Sequence, residues 1–372
     1  MTTTDVLTTS VPTRTTETCA ETVFGWILGM EQTTALYLGD RLGWYRSLAE
    51  DGPATAGELA ARTGTADRYA REWLEHQAVS GMLTVNDPAA AASRRRYTMP
   101  AAHVPVLADL DSDTVLTPFA RILVASLRRI DDLLAAYRSG GGVSWQDLGD
   151  DAREGQADQN RHLLLHALAR EYLPLLGDVD AALRAGGRVA DVGCGEGWSA
   201  IGIARGYPRC RVDAVDVDDA SVAAARRHAG EHGVTDRVTI RHADMAAAAA
   251  DGGYDLVCAF ECVHDMPDPV AVLTAMRRAV ARGGTVLVMD EKVADTFTPD
   301  GDELERLFYG FSLMCCLPDG LSTPGSVGTG TVLRRSVLEE YARAAGFGSV
   351  EVLDELDHDM FRFYRLHPSD ES

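Results

Sequence analysis

Arg188–Val189–Ala190–Asp191–Val192–Gly193–Cys194–Gly195–Glu196–Gly197 is a short apolar strand that runs into a glycine-rich turn. Trp198–Ser199–Ala200–Ile201–Gly202–Ile203–Ala204–Arg205 follows with helical spacing. Strand, Gly-x-Gly-x-Gly, helix lets backbone come close to a nucleotide-like ligand. A Cβ there would block the ligand or forbid the backbone angles. Alone the pattern carries little weight, so its surroundings decide.

Downstream of this turn, strands and helices alternate. Strands are expected at 188–192, 211–216, 237–241, 254–260 and 284–290. Helices are expected near 197–205, 219–231, 267–281 and 334–345. Val350–Leu353 and Met360–Arg365 read as a terminal hairpin. The expected fold class is α/β: a Rossmann-like, mostly parallel sheet with an antiparallel last strand and helices on both faces.

Ligand-binding residues are sought at the carboxyl ends of such strands. The second strand ends Asp216–Val217–Asp218, and Asp216 falls about 20 residues after the turn, where a carboxylate accepts both hydroxyls of a ribose. The third ends Asp244–Met245, an acid for an exocyclic amine and a side chain to lie against an adenine ring. The fourth ends Phe260–Glu261–Cys262–Val263–His264–Asp265. The turn is not Gly-x-Gly-x-x-Gly, and Asp191 stands just before it. An adjacent carboxylate disfavours a pyrophosphate and favours a cationic sulfonium with an amino-acid tail.

The bulk composition fits a soluble globular chain. Its 372 residues allow about two domains at ~150 residues each. A hydrophobic fraction of 46% and a charged fraction of 24% are ordinary. The net charge of −21 argues against a broad nucleic-acid or anionic membrane surface. Seven scattered cysteines with no Cys-x-x-Cys read as reduced thiols in a cytosol. No apolar run is long enough to span a bilayer. A cytoplasmic protein with no membrane partner is expected.

The N-terminal half reads differently. Residues 1–18 are Thr-rich and expected to be a disordered tail. Residues 20–50 look like two apolar helices broken near Gly39 and Gly43, with enough apolar surface to need a partner. Residues 54–99 give helix, turn, helix and hairpin, the order of a winged helix. Its arginines (Arg62, Arg68, Arg71, Arg94, Arg95, Arg96) are nearly balanced by Glu58, Asp67, Glu72, Glu75 and Asp87. That balance suits an interaction module better than DNA binding. Helices are expected over 113–138 and from about Asp158 to Leu176, with a domain boundary around residue 180. The expected division is therefore a tail (1–18), a winged-helix dimerisation domain (19–110), linking helices and a substrate cap (111–180), and a cofactor-binding catalytic domain (181–372).

Asp191–Val192–Gly193–Cys194–Gly195–Glu196–Gly197, Asp216, Asp244 and Gly283–Gly284 together resemble a class I S-adenosylmethionine-dependent methyltransferase. The N-terminal half resembles the winged-helix dimerisation domain of bacterial small-molecule O-methyltransferases. The resemblance implies a homodimer that uses S-adenosylmethionine, releases S-adenosylhomocysteine and methylates a small secondary-metabolite substrate of apolar or aromatic character. Gly193, Gly195 and Gly197 would shape the cofactor turn, with Asp191 near the methionine amine. Asp216 and Val217 would hold the ribose. Asp244 and Met245 would frame the adenine, and Phe260 would line the cleft.

O-methyltransferases of this kind carry His-Asp-Trp after the fourth strand, and that His removes a substrate hydroxyl proton. Here His264–Asp265 match and Met266 replaces the Trp. A His suits this work because its pKa lies near neutral pH. Catalysis by His264 is preferred over a hydrogen-bonded loop histidine. Asp290 or Glu291, at the end of the fifth strand, matches the carboxylate that orients the His. Trp145, His166, Tyr172, Trp198, Phe308, Phe311, Met314 and Cys315 are candidate substrate contacts. His162 and His166 at i, i+4 read as a packed pair rather than metal ligands, and no metal is expected. C- or N-methylation remains an alternative, with a metal gathered by His264, Asp265 and His358. So does a ligand-sensing transcriptional regulator on the same fold.

Overall fold

The computed structural model describes residues 15–248 and 252–369. It divides into two compact units, Met1–Ala108 and Asp109–Ser372. The first opens with α1 (Thr16–Arg41), started by a capping box at Thr15. Residues 15–18 therefore belong to an ordered cap and first turn, which shortens the expected tail. Its other residues, 1–14, lie outside the described residues. The expected break at Gly39 is also corrected, because α1 runs through it. A Cβ at Gly39 would lie 2.5 Å from the rings of both Tyr45 and Trp73, so this glycine serves packing. The turn falls at Gly43, where φ is 69°, and α2 (Trp44–Glu50) follows.

Next come α3 (Ala56–Thr63) and α4 (Asp67–Val79), then β1 (Thr84–Val85) paired antiparallel with β2 (Tyr97–Thr98). Trp44, Tyr45, Leu59, Trp73 and Leu74 form the core of this winged helix.

The second unit holds a seven-stranded sheet. Its strands are β3 (Arg188–Val192), β4 (Arg211–Asp216), β5 (Val238–His242), β6 (Tyr254–Phe260), β7 (Val280–Glu291), β8 (Phe347–Val352) and β9 (Phe361–Pro368). The order is β5-β4-β3-β6-β7-β9-β8. The first five strands pair in parallel, and β9 runs antiparallel to β7 and β8. Alternate residues feed opposite faces, as a period of two requires. Val189, Val212, Leu256 and Leu287 bury with Ile201 and Ile203 on one side. Ala190, Val192, Val257 and Val286 bury with Leu273, Met276 and Leu338 on the other.

Residues 111–180 pack in the same unit as the sheet, so the division falls at residue 108 rather than near 180. The helix Asp150–Arg161 continues as a π-helix, His162–Tyr172. This π-helix lies against the helix Trp198–Gly206 with almost no gap. A Cβ on Gly202 would overlap the Leu164 carbonyl oxygen, and one on Gly206 would lie 2.5 Å from the Ala169 Cβ. The expected single helical stretch 113–138 is two helices, Thr117–Leu127 and Ile130–Ser139. Gly202→Ala is expected to cost about 1–3 kcal/mol of stability by overpacking. A denaturant midpoint equal to wild type would show that this contact is looser than described.

Candidate functional site

The carboxyl ends of β3, β4 and β6 stand side by side, because the register pairs Val192 with Val215 and with Ala259. Beyond β3 the chain turns through Gly193 (φ 69°) and Gly195 (φ 51°). A Cβ on Gly193 would lie 2.7 Å from the Cys262 sulfur, so only glycine fits. The Gly193 and Cys194 N–H groups donate to the Val215 carbonyl at 2.9 and 3.1 Å. The Gly195 N–H donates to Asp216 Oδ2 at 2.8 Å, and the Asp218 N–H to Asp216 Oδ1 at 2.8 Å. Asp216 thus ties the turn to the end of β4.

These ends open into a cavity of about 860 Å³. Gly193, Gly195, Asp216, Val217, Asp244, Met245 and Phe260 line it. So do His264, Asp265, Glu291, Trp145, Trp198, Phe308, Phe311 and Cys315. Six expected site residues stand elsewhere. Asp191 is buried behind the turn, where Ser199 Oγ donates to its Oδ2 at 2.5 Å. Gly197 begins the helix Trp198–Gly206, with Ala225 where its side chain would be. Asp290 lies behind His264. Tyr172 stacks on Phe363 at 5.4 Å. His166 meets Asp111 Oδ1 at 3.1 Å, and Asp111 also accepts at its carbonyl from His162. Met314 is on the π-helix Ser312–Cys316 but does not reach the lining.

The chemistry gathers at His264, which is 2% exposed. Its Nδ1 is 2.8 Å from Asp290 Oδ1 and 3.0 Å from Glu291 Oε2. Its Nε2 is 3.3 Å from Asp265 Oδ1. Both candidate helper carboxylates therefore point inward, and Nδ1–H donates to Asp290. Burial opposes a charged imidazole, but Asp265, Glu291 and Asp290 outweigh it and hold His264 well above the usual histidine range. Burial also opposes ionisation of Asp290, yet the His264 charge and nearby hydrogen bonds keep its carboxyl below the usual range. Burial pushes Glu291 well above the carboxylate range. The four groups titrate as one cluster.

Sequence reasoning missed a second group. Glu261 follows β6 in a left-handed conformation, φ 53°, uncommon for a side-chain-bearing residue. Its Oε1 accepts from Gln156 Nε2 at 2.9 Å, and its Oε2 accepts from Asn160 Nδ2. Arg153 Nε donates to Asp218 Oδ2 at 2.7 Å. Arg153, Gln156 and Asn160 share one face of the helix Asp150–Arg161, and that three-to-four spacing was the available signal. Arg153 is the one Lys or Arg in the lining, against Glu196, Asp216, Asp218, Asp244, Glu261, Asp265, Asp268, Glu291 and Asp319. The cavity favours a cation.

The sheet order, the glycine turn and the antiparallel closing hairpin define the fold of the class I methyltransferases. Residues 189–284 match the family model of a methyltransferase domain, and residues 32–109 match that of an Rv2258c-like winged HTH domain. Along the chain the winged HTH match precedes the methyltransferase match. It is 32% identical over 143 residues to 27-O-demethylrifamycin SV methyltransferase of Amycolatopsis mediterranei, a match covering 38% of this chain and 52% of that one. The chain thus spans about half the length of that relative. A solved mitomycin 7-O-methyltransferase aligns over 95% of this chain and 98% of its own, with a TM-score of 0.69 and 20% identity. Human N-acetylserotonin methyltransferase, solved with S-adenosylmethionine, aligns over 96% and 99%, with a TM-score of 0.71 and 16% identity. At these identities the likeness to solved structures is one of fold.

The buried acids also govern stability. Burial pushes Asp191 up to about 6, and Glu196 and Glu261 up to about 7. The native chain then holds these protons to higher pH than the unfolded chain, so their stabilising contribution falls as pH rises through that window. Tm of the ligand-free protein should fall between about pH 5 and about pH 8. A Tm that rises across the window would show that these carboxyls are not held protonated.

Proposed function

We propose that this chain is an S-adenosylmethionine-dependent O-methyltransferase acting on a small apolar or aromatic secondary metabolite, with His264 as general base. The observation that carries it is His264 in the wall of the cavity that the glycine turn also lines, with its Nδ1 held by buried Asp290. Nε2, which faces Asp265 at 3.3 Å, is then the nitrogen that would take a substrate proton once the imidazole has given up the charge the three carboxylates hold on it in the ligand-free protein.

The lining suits the cofactor. Acid side chains outnumber the single arginine, which favours a sulfonium and an α-ammonium. Asn160 Oδ1 and Gln159 Oε1 are buried acceptors without a hydrogen-bond partner, and both residues line the cavity. Gly193 has no space for a side chain. When bound, S-adenosylmethionine supplies an electrophilic methyl group. Asp216 would receive the ribose, Met245 and Phe260 would flank the adenine, and Asp244 would accept from its amine. Phe119, Trp145, Phe308 and Phe311 give the substrate an apolar wall, with Phe119 and Phe311 5.5 Å apart. The chain's work is to position the hydroxyl, exclude water and take its proton.

Homodimerisation through the first unit belongs to the same proposal. Phe24 is 61% and Trp26 67% exposed on α1, beside exposed Ile27 and Met30. Such a patch calls for a partner. The wing arginines support this role over DNA binding, since Arg95 pairs with Glu75 and Arg96 with Glu58.

Asp216→Ala should abolish S-adenosylmethionine binding in calorimetry, and an unchanged affinity would remove Asp216 from the site. His264→Ala should leave that binding intact and slow turnover by about 10²–10⁴-fold on a hydroxyl substrate. An unaffected rate would point to C- or N-methylation without a protein base. Sedimentation should give a dimer mass, and Trp26→Glu with Phe24→Glu a monomer. A wild-type monomer would overturn the dimer.

A further inference from the structure

Several of the acids that line the cavity already have partners. Arg153 pairs with Asp218 at 2.7 Å. Asp216 accepts from two backbone amides. Around His264, Glu291 meets Nδ1 at 3.0 Å and Asp265 meets Nε2 at 3.3 Å. The Cys316 thiol hydrogen-bonds the same Asp265 carboxylate, so that corner is closed. Glu261 differs. Among the described residues no arginine or lysine pairs with it, and its two oxygens accept from the neutral amides of Gln156 and Asn160. A carboxylate offers about four acceptor positions, so capacity is left over in a residue that lines the cavity. Burial pushes this carboxyl up to about 7, as befits an acid that lacks a cation.

Beside it stands an amide with one end unused. Asn160 is 7% exposed and lines the cavity. Its Nδ2 has to face the Glu261 carboxylate, because an oxygen there would meet another acceptor. The amide is thereby oriented, and its Oδ1 is a buried acceptor with no hydrogen-bond partner. Gln159 Oε1 is a further unpartnered acceptor on a lining residue. A carboxylate and bare carbonyl oxygens on one wall match a ligand that is positively charged and donates several hydrogen bonds. A primary ammonium has three N–H donors and no acceptor.

We propose that Glu261 and Asn160 Oδ1 form a subsite for a primary ammonium group on a bound ligand. The sheet order says where that group would lie. The strands run β5-β4-β3-β6-β7, with Asp244 just after β5 and Asp216 ending β4, on one side of the glycine turn. Glu261 follows β6 on the other side, three residues ahead of His264. It stands where the tail of a cofactor lying across the turn would meet a substrate presented to His264. Both can bring the same chemistry. One source is the α-ammonium of S-adenosylmethionine, and the other is an amine on an aromatic substrate seated against Phe119 and Phe311. The choice between the two sources rests on the methyltransferase reading, whereas the subsite itself does not.

The test is calorimetry on the full chain, comparing wild type with Glu261→Gln and, as a second variant, Asn160→Leu. One pair of probes is S-adenosylhomocysteine and methylthioadenosine, which lacks the amino-acid tail. The other pair is phenethylamine and phenethyl alcohol, added to free and to S-adenosylhomocysteine-saturated protein. If the cofactor supplies the ammonium, both variants should weaken S-adenosylhomocysteine by about 10–100-fold and leave methylthioadenosine unchanged. Unchanged methylthioadenosine binding also shows that the variants are folded. If the substrate supplies it, both adenosyl compounds should bind the variants as they bind wild type. The wild-type preference for phenethylamine over the alcohol should then be lost. Variants that bind S-adenosylhomocysteine like wild type, with no amine preference to lose or with that preference intact, would overturn the subsite and leave the methyltransferase reading standing. A wild-type chain that takes neither adenosyl compound, yet prefers the amine until Glu261 is replaced, would remove the methyltransferase reading and keep the subsite.

Discussion

Two glycines one helical turn apart, Gly202 and Gly206, decide where the upper wall of the cavity stands. They let the π-helix His162–Tyr172 come to backbone distance of the helix that follows the glycine turn. The helix Asp150–Arg161 runs straight into that π-helix, so its side chains inherit the position. Arg153 then reaches Asp218, and Gln156 and Asn160 reach Glu261. Each of these bonds joins the segment before residue 180 to a strand end. This is why residues 111–180 belong to the sheet's own unit rather than to a separate cap.

The second constraint is electrostatic. The cavity collects carboxylates whose burial is costly, and few cations are present to offset it. Neutral donors carry part of the load: backbone amides on Asp216, carboxamides on Glu261 and a hydroxyl on Asp191. Around His264 the load is shared differently, with Asp290 charged and Glu291 protonated in its shadow. The free protein therefore has a cavity poised for positive charge, which is what a sulfonium would bring.

Much of the sheet was legible because parallel strands buried on both faces read as apolar runs between turn residues. The limits of β3, β4 and β6 match the pattern of the chain to the residue. The glycine turn was legible because its geometry excludes other residues. The ends of α1 were not, since Gly39 looks like a breaker when its neighbours Tyr45 and Trp73 are unknown. Asp191 reads from the sequence as facing the ligand, because adjacency in sequence hides the alternation that turns its side chain toward Ser199. The orienting carboxylate of His264 stayed ambiguous between consecutive residues, and the structure buries both. Glu261 and Cys316 escaped notice for a common reason. Each owes its position to an irregular backbone, a left-handed residue in one case and a π-helix in the other, and neither leaves a periodic signature.

That π-helix at Ser312–Cys316 has a bearing on descent. A π turn takes in one more residue than an α turn, and it interrupts an otherwise regular helix. Restoring the α pattern by losing a single residue would rotate everything on one side of the deletion by roughly a quarter of a turn. Cys316 would then leave the side of His264 although its chemistry and its neighbours in sequence were unchanged. Related chains can thus keep the cysteine and lose its place, or keep the place with another residue in it. The length of this segment, more than the letter at one position, records whether a relative has the same corner in its cavity.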